Sequence, residues 1–287
     1  MAASFRQSHL RRMAEMLLDG QGRTELGNDY AAFLKYTMYL GASFVTTNPV
    51  LVDIAWDAAP EYWDAVMDEL IAANPAVSDE ELARLATLEV VLENMRLLRP
   101  IFLLTSGRMG CVSLQVNPKK HGDAAVMIRD ATAIYDDLRA RLEGGVPNVV
   151  FKLPGTWAGL EACRALTAQA IGVNITVNFG LFQQLPFAEA IQAGQTILST
   201  LTEMNGRLAF PVRDELLAKL PELQAQGIDE ADAREAAAWS GVAVVKRLIA
   251  LLQEKGYDLE RIKQLVASLR IYVEGPGYDR LPSAYPD

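Results

Sequence analysis

Between residues 112 and 117 the chain reads VSLQVN, and its side chains alternate. Val112, Leu114 and Val116 fall on one side of a strand, and Ser113, Gln115 and Asn117 on the other. VNITVN (173–178) repeats the rule, with Val173, Ile175 and Val177 opposing Asn174, Thr176 and Asn178, and in ASLR (267–270) Ser268 and Arg270 oppose Ala267 and Leu269. Further strands are predicted over 24–28, 43–48, 148–153 and 196–204, with 264–270 as the last clear one. Helical periodicity fills the intervals: 29–41, 60–73, 78–98, 123–142, 156–170, a stretch after 179, and most of 211–254. Ser78 with Glu81 reads as a capping box. The start, MAASFRQSHLRRMAEMLLDG, reads as an amphipathic helix ahead of the first strand.

Strands alternating with helices, without a Pro/Gly/Ser linker, predict an α/β chain with a parallel sheet. Strands of a doubly wound sheet bury both faces and read as continuous apolar runs. Here one face is apolar and the other polar near the strand's C-terminal end, which suits a (β/α)8 TIM barrel with its site at that end. The expectation is one domain over 1–287, with extra helices in 60–98 and a short or incomplete C-terminal end. After Arg270 only IYVEGPGYDRLPSAYPD remains, room for a short eighth strand near Asp279–Leu281 and no closing helix.

Composition narrows the partners. A formal charge of -9 argues against nucleic acid or an anionic membrane surface. No run of about 18 apolar residues is present, and the N-terminus lacks a signal-peptide h-region. Cys111 and Cys163 are too few for a disulfide framework, which suggests a reducing cytoplasm and core roles for both. His9 and His121 are isolated, so no metal site is expected, and no phosphate loop or dinucleotide fingerprint calls for a cofactor. The aromatics of PEYWDAVMD have helical spacing and read as packing.

The chemistry-bearing oddity is Lys152, set in the apolar strand NVVFKL just before Pro154-Gly155. It shares a strand face with Asn148 and Val150 while Phe151 and Leu153 take the other. Burial disfavours the ammonium form and leaves more neutral amine to attack a carbonyl and form a Schiff base. A lysine that snorkels or pairs with a carboxylate is the other reading of the strand alone.

Six segments in order carry a resemblance: TTNP (46–49), VSLQV (112–116), VFKLPGTWAGLEACRAL (150–166), GVNIT (172–176), NGRL (205–208) and ASLR (267–270). Together they resemble the transaldolase family, over most of the chain. The resemblance implies a (β/α)8 barrel and a cofactor-independent, class I enzyme of pentose-phosphate-type carbohydrate metabolism. Its partners would be a sugar phosphate or related anionic ketose and an aldehyde acceptor, with homo-oligomerisation left open. Lys152 would form the Schiff base. Asp29 would act as acid/base on the C4 hydroxyl, or simply cap the helix beginning at Tyr30. Asn48 and Asn174 would bind substrate hydroxyls, against a turn residue before Pro49 and an internally satisfied polar group. Thr176 would hold a proton-shuttling water, against a plain β-branched strand former. Arg207, Ser268 and Arg270 match phosphate-binding positions, either arginine being alternatively a surface ion pair. Glu203 lies near the same strand ends, beside substrate or paired with an arginine.

Gln115 departs from the family pattern. Typical transaldolases have glutamate there, and glutamine orients a water without exchanging a proton at neutral pH. The related fructose-6-phosphate aldolase branch uses glutamine with a nearby tyrosine, a slot that Met204 fills here. An aldolase releasing dihydroxyacetone and a sugar-phosphate-binding pseudoenzyme therefore stand beside the transferase.

Overall fold

The computed structural model describes residues 8–22, 24–29 and 31–267, which fall into two compact units. The first is drawn from Met1–Pro118 and Asp130–Phe151, the second from Lys119–Arg129 and Lys152–Pro286.

In the first unit, helix α1 (His9–Leu18) precedes strand β1 (Gly27–Asn28), which pairs in parallel with β2 (Phe44–Thr46), Gly27 opposite Phe44. The single helix expected over 29–41 is instead three short pieces: a 3-10 turn Ala31–Phe33, helix α2 (Leu34–Thr37) and a second 3-10 turn Met38–Leu40. Phe33, Tyr36 and Tyr39 stay exposed, so this segment buries no continuous apolar stripe to hold a longer helix. Helices α3 (Pro49–Ala58), α4 (Pro60–Ala73) and α5 (Asp79–Leu104) then lead to β3 (Val112–Gln115), which pairs in parallel with β2.

Alpha-helix α5 buries Leu88, Val91, Met95, Leu98 and Phe102, spaced by three or four residues. Ser78 caps it by accepting from the Glu81 amide, but the capping box is only half made. Both Glu81 carboxylate oxygens are taken by Arg84, at 2.8 and 2.6 Å, which lowers the Glu81 pKa. The aromatics of 60–73 pack as expected around Trp63, 5.8 Å from Trp56 between ring centres, although Tyr62 remains exposed. Helix α6 (Ala124–Arg141) and strand β4 (Val149–Pro154) each belong in part to both units.

The second unit continues from the end of β4 through α7 (Trp157–Ala168), β5 (Gly172–Asn178), α8 (Leu181–Ala193) and β6 (Ser199–Glu203). Four helices follow, α9 (Asn205–Ala218), α10 (Leu220–Gln224), α11 (Glu230–Ala238) and α12 (Ser240–Glu254), before β7 (Ile262–Val266). The last strand thus starts two residues before the predicted 264–270. Buried Cys163, Leu166, Ile191, Leu248 and Leu252 come from its helices, Ile175, Leu201 and Ile262 from its strands.

Strand order follows the chain, β1-β2-β3-β4 and then β4-β5-β6-β7. A doubly wound sheet reverses its order at a switch point; this one does not, and its connectivity is that of a TIM-barrel-like α/β fold. The eighth strand expected near Asp279–Leu281 lies outside the described residues.

Candidate active site

Lys152 is half-buried between Phe151 and Leu153, both fully buried. Two glycines fix the turn beyond it. Gly155 donates its amide to the Thr176 carbonyl at 2.7 Å, and a Cβ on it would stand 2.7 Å from the Val177 carbonyl oxygen. Gly159, in the first turn of α7, comes so close to Pro154 that a Cβ there would meet the proline carbonyl oxygen at 1.9 Å. The Thr156 hydroxyl caps α7 by accepting from the Gly159 amide at 3.1 Å. Gln183 closes the arrangement, accepting from the Phe179 amide and donating to the Gly155 carbonyl. The end of β4 is therefore held by backbone contacts to β5 and α7. Asn148, just before β4, is engaged in structure: its carboxamide donates to the carbonyls of Met95 and Gly110.

On β5 and β6 the register is Asn174 to Thr200 and Ile175 to Leu201. Asn174, Thr176, Thr200 and Thr202 therefore share one face. Asn174 is fully buried, and its Oδ1 accepts from the Thr202 hydroxyl at 2.6 Å. The Thr176 hydroxyl lies 3.7 Å from Met204 Sδ, a weak acceptor. Thr202 was not among the expected residues; its signal is the TLT alternation in TILSTLTEM.

The expected alternation breaks at Val177. This residue has φ of 55°, and the register shifts so that Asn178 stands opposite Glu203. One extra residue on β5 is a bulge, and it moves Asn178 away from the Asn174 face. Glu203 is corrected with it. It is fully buried on the helix-covered face, where Gln184 of α8 donates to its Oε2 at 2.8 Å. Burial pushes the Glu203 carboxyl up to about 7, against the opposing effect of that hydrogen bond.

In the first unit, Asp29 follows β1 and is exposed, its Oδ1 accepting from the Thr46 hydroxyl of β2. Asn48 is the N-cap of α3, its Oδ1 accepting from the Leu51 amide at 3.1 Å, which leaves Nδ2 as the atom available to a ligand. Gln115 ends β3, half-buried. Each stands at or just past the C-terminal end of its strand.

Arg207, third residue of α9, is exposed, and its guanidinium makes no hydrogen bond or ion pair among the described residues. Ser268 and Arg270 lie outside the described residues. Cys111 and Cys163 are free and buried, with the Cys163 thiol pushed up to about 12 by burial. Among the described residues no group of three or more His, Cys, Asp or Glu side chains is placed to hold a metal, and no helix is long and apolar enough to cross a membrane.

The chain matches the family described as Transaldolase/Fructose-6-phosphate aldolase over residues 28–271. It is similar to a transaldolase of Arthrobacter sp. (strain FB24), 33% identical over 150 residues, covering 52% of this chain and 38% of that protein. A transaldolase of Thermobifida fusca (strain YX) is likewise 33% identical over 150 residues, with the same coverage. A transaldolase of Acidothermus cellulolyticus is 28% identical over 214 residues, 72% of this chain and 54% of that one. The chain thus spans about half or less of the length of these curated relatives. The match over 28–271 covers most of the sequence, with Lys152 and both glycines of its turn inside it: the chain belongs to the transaldolase/fructose-6-phosphate aldolase family.

Proposed function

We propose that the protein is a class I, Schiff-base-forming enzyme that cleaves and forms a C–C bond of a ketose phosphate, or a similar anionic ketose, and transfers a dihydroxyacetone unit to an aldehyde. The observation that carries this reading is Lys152, a half-buried amine between two fully buried apolar residues, on a strand whose end is fixed by backbone contacts. A primary amine at this position is the nucleophile that Schiff-base chemistry requires.

In this reading the Lys152 Nζ adds to the C2 carbonyl to give a carbinolamine, which loses water to form the iminium. Asp29, in the role the family resemblance implies, takes the C4 hydroxyl proton. The C3–C4 bond then breaks, its electron pair moves into the iminium, and an aldehyde leaves. The enamine on Lys152 adds to the acceptor aldehyde, and hydrolysis frees the amine. Asn174 and Asn48 Nδ2 are the substrate-hydroxyl ligands, Thr176 orients the water, and Arg207, Ser268 and Arg270 bind the anionic group. The free, buried cysteines fit a reducing, cytoplasmic setting.

Borohydride reduction in the presence of fructose 6-phosphate, read by intact mass, tests the proposal. A covalent adduct is expected, and no adduct makes the protein a binder rather than an enzyme. Gln115 favours a second reading, an aldolase that releases free dihydroxyacetone. An acceptor aldehyde separates the two: a transferase forms the new ketose, an aldolase accumulates dihydroxyacetone.

A further inference from the structure

The helix-covered face of β5, β6 and β7 holds a set of buried polar atoms without hydrogen-bond partners among the described residues. They are Glu203 Oε1, Gln184 Oε1, and both carboxamide heteroatoms of Asn178, Asn205 and Gln264. Glu203, Gln184, Asn178 and Asn205 are fully buried. Buried polar atoms without partners are uncommon in folded proteins, and so many on one face call for a ligand.

Glu203 links them. Asn178 stands opposite it on β5, and Gln184 bonds it from α8. Gln264 pairs with Leu201, one strand period before Glu203 on the same face. Asn205 follows two residues later at the start of α9, its Oδ1 just 2.1 Å from where a Cβ on Gly241 of α12 would be. Small residue 241 therefore leaves room for that carboxamide. Because Gln184 Nε2 is engaged by Glu203 Oε2, Gln184 Oε1 is the atom it has left to offer.

We propose that Glu203, Asn178, Gln184, Asn205 and Gln264 bind a dehydrated monovalent cation, potassium or sodium. Each side chain supplies one oxygen, and hard oxygen donors without histidine or cysteine select an alkali ion over a transition metal. One carboxylate brings one negative charge, which a monovalent ion neutralises and a divalent ion overcompensates. No lysine or arginine among the described residues bonds to Glu203. Lys263 of β7 is the register partner of Thr200 and belongs to the opposite face. A proton on Glu203 would neutralise the charge but leave the carboxamide oxygens as they are. The carboxyl pKa of about 7 makes the proton the competitor at neutral pH, so the ion binds best above it. The site is independent of the Schiff-base reading, and its test does not depend on activity.

The experiment is thermal unfolding of the full chain at about pH 8, well above the ordinary carboxylate range, in potassium, sodium or tetramethylammonium chloride at equal ionic strength. A ligand bound only by the folded state raises the melting temperature, here by ~3 °C or more in potassium or sodium relative to tetramethylammonium. The rise saturates, and the ion with the lower half-saturation point is the resident one. Glu203→Gln is expected to abolish the difference, and Gln264→Leu to weaken half-saturation roughly tenfold. Equal melting temperatures in the three salts overturn the proposal, and wild-type protein alone delivers that result even if Glu203→Gln does not fold. A rise that never saturates, or one that survives in a folded Glu203→Gln protein, overturns it as well.

Discussion

On one face of the β5–β6 ladder Asn174 Oδ1 receives the Thr202 hydroxyl at 2.6 Å, and Thr176 turns toward Met204. On the other, Glu203 has Gln184 for one oxygen, while the Asn178 carboxamide has no partner among the described residues. Burial is the same on both sides, since Asn174, Thr202, Asn178 and Glu203 are all inaccessible or nearly so. What differs is whether the polar groups answer one another. On the first face Asn174 and Thr202 fix each other's direction, and Thr200 Oγ1 is the one buried side-chain atom there without a partner among the described residues. The second leaves Glu203 Oε1 and the Asn178 carboxamide without partners among the described residues, and that is where the proposed cation would bind. Val177 divides the two, because the bulge there decides which face Asn178 serves.

The comparison breaks most visibly at Lys152, on the neighbouring strand. Lys152→Met is expected to abolish borohydride trapping entirely while stability changes by less than about 1 kcal/mol. An adduct on the variant, located by peptide mapping, would remove this lysine from the mechanism.

Glu203 should show the opposite signature, a stability effect without a chemical one. Its folded pKa of about 7 lies above the ordinary carboxylate value, so the folded state holds the proton more tightly than the unfolded chain. Stability is then undiminished below about pH 4.5 and falls as pH rises through about 7, by at most about 3 kcal/mol, with only bulky cations present. Urea unfolding across that range, compared with Glu203→Gln, reads the effect. Equal pH slopes in the two proteins would refute it.

At the proposed anion end, Arg207→Ala should raise KM for a phosphorylated ketose roughly 10- to 150-fold, the loss of one charge-assisted hydrogen bond. The same variant should leave KM for neutral dihydroxyacetone nearly unchanged. Parallel losses on both substrates would give the arginine a structural role.

Thr202→Ala sharpens the comparison on the Asn174 face. It removes the hydroxyl that donates to Asn174 Oδ1 and should cost about 1–3 kcal/mol, with Thr202→Ser restoring most of it. A serine variant as unstable as the alanine one would mean that the methyl group, rather than the hydroxyl, matters. The smallest effect is expected at the divide itself. Val177 is β-branched and at φ 55°, so Val177→Gly should stabilise by ~1 kcal/mol. Destabilisation would show that the side chain, not the backbone, holds the bulge.

How much of this was legible beforehand depends on whether the signal was local. VSLQVN and GVNITVNF announce their strands because a buried strand face imposes a period of two, and β3 and β5 lie where that period places them. Lys152 stood out for the same reason, a charge interrupting an apolar run. The alternation misassigned Asn178, since nothing in VNITVNF marks the residue at which β5 gains its bulge. Glu203 was misassigned because its contact, Gln184, lies on a helix whose docking no strand period encodes. DYAAFLKYTMYLG has helix-forming composition but no buried stripe, and tertiary context divides it into three turns. The six family-like segments carried the assignment of Asp29, Asn48 and Arg207, whose individual patterns are those of ordinary caps and surface residues.

The hook after β4 has a consequence for altering the protein. Gly155 and Gly159 each face a backbone carbonyl oxygen too near for any added carbon, whereas Trp157 between them is 85% exposed. A saturation library across LPGTWAG should therefore return a comb: near-complete intolerance at 155 and 159, and broad acceptance at 157. Position 157 lies five residues beyond Lys152, on the first residue of the helix that the hook anchors. An experimenter can thus exchange its side chain for charge, bulk or an affinity handle while the lysine's strand stays where two missing methyl groups allow it to sit.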